Sequence, residues 1–262
     1  MSDGSTDADA PAGTPRFAEL VLAPNPGPMT LDGTNSWVLR SPGQVAVLVV
    51  DPGPSDDAHL ERLARHGEVA AVLLTHGHRD HAEGMPRFRE MTGAPVHAVD
   101  PSLCRDTEPL RDGDEIEAGG VRVRVLATPG HSSDSATFVA SAHGGTAVLT
   151  GDTVLGRGST VVAAPDGRLD DYLATLARLQ ALGALTVLPG HGPVRGDLAA
   201  RAAEYLAHRA QRLDEVRAAL AAGARTSDEV LEAVYADVDP AVRFAAAMSV
   251  EAQLTYLRDH PA

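Results

Sequence analysis

The chain has 262 residues, 44% of them hydrophobic, which suits one domain with a substantial core, or a main domain with a small appendage. Its 22 basic residues, all arginine, face 36 acidic ones, and the net charge of −14 argues against a surface built for nucleic acid or anionic membrane. The single cysteine, Cys104, excludes an intramolecular disulfide and a cysteine-rich metal site, and reads as a small packed thiol.

Residues 1–16 are polar, acidic and small, without the basic start and apolar core of a signal peptide, and read as a disordered tail. Apolar runs at 17–23, 34–40 and 44–51 predict strands. The stretch 55–67 predicts a helix, with Ser55 as N-cap and Gly67 at its end. A buried strand follows at 70–75, a helix at 82–93, a short strand at 95–99 and an alternating strand at 121–130. Residues 136–141 and 146–152 form a strand pair about the His143-Gly144-Gly145 turn. Leu173, Leu176, Leu179 and Leu182 mark one face of a helix over 169–183, and 184–190 is the last strand. From residue 195 the pattern is helical only. This order predicts an α+β core of two sheets with outer helices over 17–194, and a small all-helical subdomain over 195–262. No apolar run reaches transmembrane length, so a cytoplasmic protein without membrane contact is expected.

Chemistry concentrates in LLTHGHRDHAEG, where His76, His78, Asp80 and His81 crowd the end of the 70–75 strand. Two imidazoles two residues apart can reach one ion from an extended turn. Asp80 and His81 begin the next helix and suit a second ion. Two ions need further ligands, and three more strands end on them: His131 after VRVRVLATPG, Asp152 after TAVLTG, His191 after ALTVLPG. Groups carried on loops at one edge of a rigid sheet are the expected way to assemble a site. His59, His66, His97, His143, His208 and His260 lack this setting and read as surface or packing residues.

THGHRDH, TPGH, TGD and PGH, in that order, resemble the successive metal motifs of the metallo-β-lactamase superfamily. The resemblance spans about 17–193 and implies an αββα sandwich with a binuclear site at its edge. It places His76, His78 and His131 on one divalent ion, Asp80, His81 and His191 on the other, and Asp152 between them. Zinc is the first choice of metal, and iron and manganese tolerate the same ligands. Such a pair lowers the pKa of a shared water from 15.7 towards ~7, for attack on carbonyl or phosphorus. Asp80, orienting the nucleophile and shuttling its proton, and Asp152, holding the ions together, are the catalytic candidates. Ser132 and Ser133 lack a nucleophile-elbow pattern and form a turn.

NPGPMTLDGTNSWVL, VDPGP and HRAQRLDEVRAAL…EAQLTYL are similar to the beta-lactamase-like protein 2 group. Its members carry a winged-helix-like C-terminal region and include metal-dependent single-strand endoribonucleases. The substrate expected from this resemblance is single-stranded RNA; the alternative is a small ester, thioester or lactone, as in the glyoxalase II type. Against RNA stand the acidic charge, an aromatic content of 3%, and a tail from Arg195 with 8 Arg against 11 acidic residues. The absence of a signal peptide and the acidic ligand Asp80 weigh against β-lactam hydrolysis. A purely partner-binding role is disfavoured by the complete ligand set, while pairing of two copies through the tail stays open. The stretch 153–190 is too short for the inserted domain of the superfamily's RNA-processing and DNA-repair nucleases. Trp37 reads as a strand packing residue, and Asn35, in the turn before it, is expected at the mouth of the site, facing substrate.

Overall fold

The structure, a computed structural model, describes residues 13–261, so most of the expected N-terminal tail lies outside the described residues. Ten strands form two five-stranded sheets. The first contains β1 (Ala18–Leu22), β2 (Asn35–Leu39), β3 (Ala46–Val50), β4 (Glu68–Leu73) and β5 (Val96–His97) in sequential order. The second contains β6 (Glu115–Ala118), β7 (Val121–Ala127), β8 (Ala136–Ala142), β9 (Gly145–Gly151) and β10 (Thr186–Pro189), in the order β10-β9-β8-β7-β6. The sheets face each other across Trp37, Leu48, Val50 and Leu73 on one side and Val123, Val125, Phe138 and Leu149 on the other.

Helices α1 (Asp57–Ala64), α2 (Arg79–Ala82) and α3 (Met85–Thr92) follow β3 and β4. Leu60, Leu63, Met85 and Phe88 of α1 and α3 cover the outer face of the first sheet. Because both faces of β3 are covered, its AVLVV run is apolar throughout rather than alternating. Helix α4 (Leu169–Gln180) and the first half of α5 (Leu198–Ala221) cover the outer face of the second sheet. The result is the αββα layering of an α+β sandwich. α4 buries Leu169, Tyr172, Leu176 and Leu179, while Leu173 and Leu182 flank that face partly buried.

Helices α6 (Ser227–Val234) and α7 (Arg243–Asp259) complete the chain and pack on α5 around Val216, Val230 and Val250. Among the described residues no strand follows β10, so the C-terminal region, expected to be winged-helix-like, has helices and no wing. Leu198, Ala202, Tyr205 and Ala252 join the core of α4 and the second sheet, so the C-terminal helices share a core with the sandwich. No helix among the described residues is long and apolar enough to cross a membrane.

Three local details differ from the expected elements. β6 carries no clear apolar pattern, because this edge strand, EIEA, buries its inward side chains only in part. The helix expected over 82–93 is broken at Gly84, where a Cβ would lie 2.6 Å from the carbonyl oxygen of Pro54. That close approach lets the Gly84 amide donate to Gly53 and anchors the loop after β3. Asp56, not Ser55, caps α1, its carboxylate accepting from the His59 amide at 2.7 Å.

His59 is a buried packing residue, its Nε2 3.0 Å from the Ser36 hydroxyl. Burial, with Arg62 beside it, lowers its pKa to about 4. The unfolded chain therefore takes up this proton near pH 6.5 and the folded chain only near 4, so stability is full above ~6.5 and falls as pH drops through that window. Urea unfolding should show a loss of about 2–3 kcal/mol from this group between pH 7 and 4. His59→Gln should flatten that slope; an unchanged slope contradicts the assignment.

Candidate metal centre

Strand direction brings the site together. β7 and β9 both run antiparallel to β8, and β10 runs parallel to β9, so β7, β9 and β10 end at the same edge. His131, Asp152 and His191 stand on the loops just beyond those ends. The end of β4 arrives from the other sheet, joined by the Ala136 amide donating to the carbonyl of Thr75 at 2.7 Å. It delivers His76 and His78, and α2 turns Asp80 and His81 back over the same point. Gly190 makes the final approach possible: a Cβ there would lie 2.6 Å from Asp152 Oδ1 and 2.8 Å from His81 Cε1.

All seven residues named from the motifs meet there, in two groups. His76, His78 and His131 converge on one side; Asp80, His81, Asp152 and His191 on the other. His131 Nε2 lies 3.1 Å from His78 Nδ1, and His81 Nε2 lies 3.2 Å from His191 Nε2. Asp152 spans the groups: Oδ1 is 3.3 Å from His191 Nε2 and 3.4 Å from His81 Nε2, while Oδ2 is 3.8 Å from His131 Nε2. Asp80 Oδ2 lies 3.0 Å from His191 Nε2.

The surrounding oxygens set the ring tautomers. His81 Nδ1 donates to Asp51 Oδ2 at 2.8 Å, His131 Nδ1 to the carbonyl of Val161 at 2.8 Å, and His191 Nδ1 to the carbonyl of Gly33 at 3.1 Å. Thr75 Oγ1 donates to Asp51 Oδ2, which leaves its lone pair for His76 Nδ1 at 3.0 Å. With Nδ1–H used in these four rings, Nε2 is the atom left to face its neighbours. Ring nitrogens and carboxylate oxygens facing one another at these distances need a proton or a metal cation between them. His76 Nε2 and Asp152 Oδ1 are also buried without a hydrogen-bond partner. The donor set therefore fits two divalent ions.

Burial, reinforced by His81 and His131, holds His76 well below the ordinary imidazole range, and burial also lowers His131. At His81 burial is outweighed by Asp152, Asp51 and Asp80, so its pKa stands well above the ordinary range. At His191 the same contest, against Asp152 and Asp80, ends at about 9. Burial opposes ionisation of Asp152, but His191 and His81 outweigh it and hold the carboxylate well below its usual range. Metal loading at pH 7 should thus expel protons, and affinity should rise with pH towards about 9. Metal analysis of protein purified without added metal should find two ions per chain, and an unbuffered titration of the stripped protein should acidify. Fewer than one ion per chain, with all ligands intact, contradicts the binuclear assignment.

Asn35 stands elsewhere than expected. It is buried, and its Nδ2 donates at 2.9 Å to the carbonyls of both Pro189 and Gly192. With both donors used, it clamps the His191 loop instead of facing substrate at the mouth. Trp37 is buried and donates to the same Pro189 carbonyl at 3.1 Å. Ser132 Oγ sits in a turn with Asp134 and Ser135, with no histidine base. Cys104 is half-buried, near the carbonyls of Ala98 and Asp100.

Sequence reasoning assigns no role to Asp51, although it stands in the VDPGP motif. Asp51 is buried in left-handed backbone (φ 52°), accepting from the Thr75 amide, the Thr75 hydroxyl and His81 Nδ1. It aims two ligands at once. The part played by the C-terminal helices also escapes a reading of the sequence. A cavity of about 320 Å³ opens on His131 and Asp152, lined by Met29, Leu31, Leu155 and Val161 and by residues of α5, of α7 and of the segment between α6 and α7.

Residues 29–191 match the family model of the metallo-beta-lactamase superfamily. The chain is 31% identical over 250 residues to a beta-lactamase-like protein 2 homolog of Caenorhabditis elegans, covering 90% of this chain and 82% of the relative. It is 33% identical over 266 residues to an atrochrysone carboxyl ACP thioesterase of Aspergillus fumigatus, covering 91% and 80%. The crystal structure of a metallo-beta-lactamase family protein from Thermus thermophilus superposes with a TM-score of 0.77 at 28% identity, covering 94% of each chain.

Proposed function

The chain belongs to the metallo-beta-lactamase superfamily, and we propose that it is a two-metal hydrolase of small acyl thioesters or esters, with zinc as its metal. The cavity beside the centre carries this reading: about 320 Å³, apolar over most of its wall, and open to His131 and Asp152. That is the scale of a small-molecule site rather than a polymer track. The thioesterase name of one relative supports it.

Two divalent ions, when bound, polarise the substrate carbonyl and acidify water beside it. His76, His78 and His131 would hold one ion and Asp80, His81 and His191 the other, with Asp152, whose two oxygens face both groups, shared between them. Asp80 is 28% exposed, and burial, the force opposing its ionisation, is outweighed by His81 and His191, which hold its pKa below the usual range. An ionised, partly exposed carboxylate at this position can orient the attacking water, take its proton and return it to the departing thiol. Met29, Leu31 and Leu155 shield the acyl portion from water.

Single-stranded RNA fits this surface less well. The groove on the other side of the centre, beside His78, is lined by Asp100, Asp134 and Asp166, and a polyanion crossing the metals would meet all three. Two substrates decide the matter: an acyl thioester and an unstructured RNA oligonucleotide, with His76→Ala as the blank. Thioester hydrolysis that disappears in His76→Ala is expected. RNA cleavage without thioester turnover, collapsing between low and physiological salt, would overturn the proposal in favour of a nuclease.

A further inference from the structure

The far wall of the cavity carries an unusual set of donors. His208, Arg209 and Arg212 line it from α5, within about one helical turn of one another. Arg209 is only 4% exposed. It donates one Nη to the carbonyl of Thr160, and its guanidinium lies 5.2 Å from the centre of the Tyr172 ring. No carboxylate pairs with it among the described residues, and its Nε has no hydrogen-bond partner. Arg212 is tied through Nη1 to Glu215 at 2.7 Å and to the carbonyl of Val234 at 3.2 Å, yet its Nε is buried and unpartnered too. His208 Nδ1 is in the same condition.

Three buried nitrogens without a partner, on three residues that line one cavity, are rare in a folded chain, because each lost hydrogen bond is destabilising. A buried guanidinium without an anion is more costly still. Among the described residues the only carboxylate lining the cavity is Asp152, which belongs to the metal centre. The third arginine at the wall, Arg157, is already paired with Asp32 through two contacts of 2.5 and 3.0 Å. Within a chain of net charge −14, the cavity therefore holds one guanidinium, that of Arg209, with no carboxylate of its own. It is also close to the reaction: Thr160 receives Arg209 at its carbonyl and donates its hydroxyl to the backbone carbonyl of Asp152.

Resting on the hydrolase reading above, we infer that Arg209, with Arg212 and His208, forms a subsite for a carboxylate tethered to the scissile acyl bond. The substrate class is an anionic thioester or ester, not a neutral one. Arg209 is the specificity-determining residue, because it alone is both buried and without a carboxylate partner. Its planar fork matches a carboxylate, and the ring of Tyr172 beneath it keeps the fork in place. Met29, Leu31 and Leu155 line the same cavity and offer apolar contact to the chain that joins this anion to the scissile bond. A substrate held at both ends would be positioned for attack at the metal end.

The carboxylate can belong to the acyl group or to the thiol, and three probes separate these sources. They are the pentanoyl and glutaryl thioesters of N-acetylcysteamine and the pentanoyl thioester of 3-mercaptopropionate. The metal-loaded wild type should prefer one charged probe to the neutral one by at least tenfold in kcat/KM, and the preferred probe names the side. In Arg209→Gln that ratio should fall towards one. Arg212→Gln, at a less buried position, should lower the ratio in the same direction if Arg209→Gln does not fold. Equal rates for charged and neutral probes in the wild type, or a ratio unchanged in a folded Arg209→Gln, overturns the inference. If no thioester is hydrolysed, the hydrolase reading fails separately. Calorimetric binding of glutarate to the metal-loaded protein then decides: at least tenfold weaker binding in Arg212→Gln sustains the subsite, and equal binding removes it.

Discussion

Asp152→Ala is expected to lower kcat at least 100-fold, about 2.7 kcal/mol of barrier, with secondary structure unchanged. Asp152 is the one side chain whose two oxygens face different ligand groups, Oδ1 towards His81 and His191 and Oδ2 towards His131. Removing it separates two half-sites that each keep three ligands. The fold should persist because the local structural contact is made by the backbone: the carbonyl of Asp152 accepts the Thr160 hydroxyl, and alanine keeps that carbonyl. The loss should come with metal content below two ions per chain after dialysis. A folded variant with more than about a tenth of wild-type kcat, a loss below ~1.4 kcal/mol, contradicts the bridging role.

Asp51→Asn should weaken the second ion by roughly 10–100-fold and the first less, because His81 contacts Asp51 directly while His76 is reached only through Thr75. The variant is nearly isosteric, so packing around Leu73 and Thr75 should survive. What changes is the hydrogen bond to His81. Asp51 Oδ2 accepts from His81 Nδ1 and from Thr75 Oγ1; an amide nitrogen at that position can only donate. His81 must then accept at Nδ1 and carry its proton on Nε2, the atom that faces Asp80, Asp152 and His191. A protonated Nε2 cannot ligate a metal. If the amide turns its oxygen to His81 instead, its nitrogen faces the Thr75 backbone amide, donor against donor. Either orientation leaves one buried group unsatisfied. Dialysis against a chelator should bring the variant to about one ion per chain under conditions where wild type retains two. Retention of both ions with unaltered affinity would show that the Asp51 contact does not set the tautomer.

The ligands were legible because they are local. Each sits at the end of an apolar run, and the HxHxDH spacing holds four of them within one turn and one short helix. The two-sheet layering was legible for a similar reason, since alternation in β7 and continuous burial in β3 leave a direct trace in residue order. Their grouping into two triads and a bridge came from the family resemblance; the coordinates bring the seven residues together as a group of three, His76, His78 and His131, and a group of four that includes Asp152.

Asn35 shows the limit of such reading. A polar residue in a turn before the first ligand looks available to substrate, but its partners, the carbonyls of Pro189 and Gly192, lie more than 150 residues away in the chain. Asp51 is similar: its carboxylate matters because β3 and β4 lie side by side and place it beside Thr75 and His81. The cavity depends even more on long-range contact. α5, read alone, is an amphipathic helix whose arginines resemble ordinary surface residues. Only its packing on α4, with Tyr172 beneath Arg209, turns those arginines inward and makes the helical tail a wall of the site. The sequence by itself determined the metal chemistry, because ligand type and spacing are properties of neighbouring residues. The shape and charge of the space where a substrate sits were decided by tertiary structure, because that space is bounded by groups that meet only when distant layers pack.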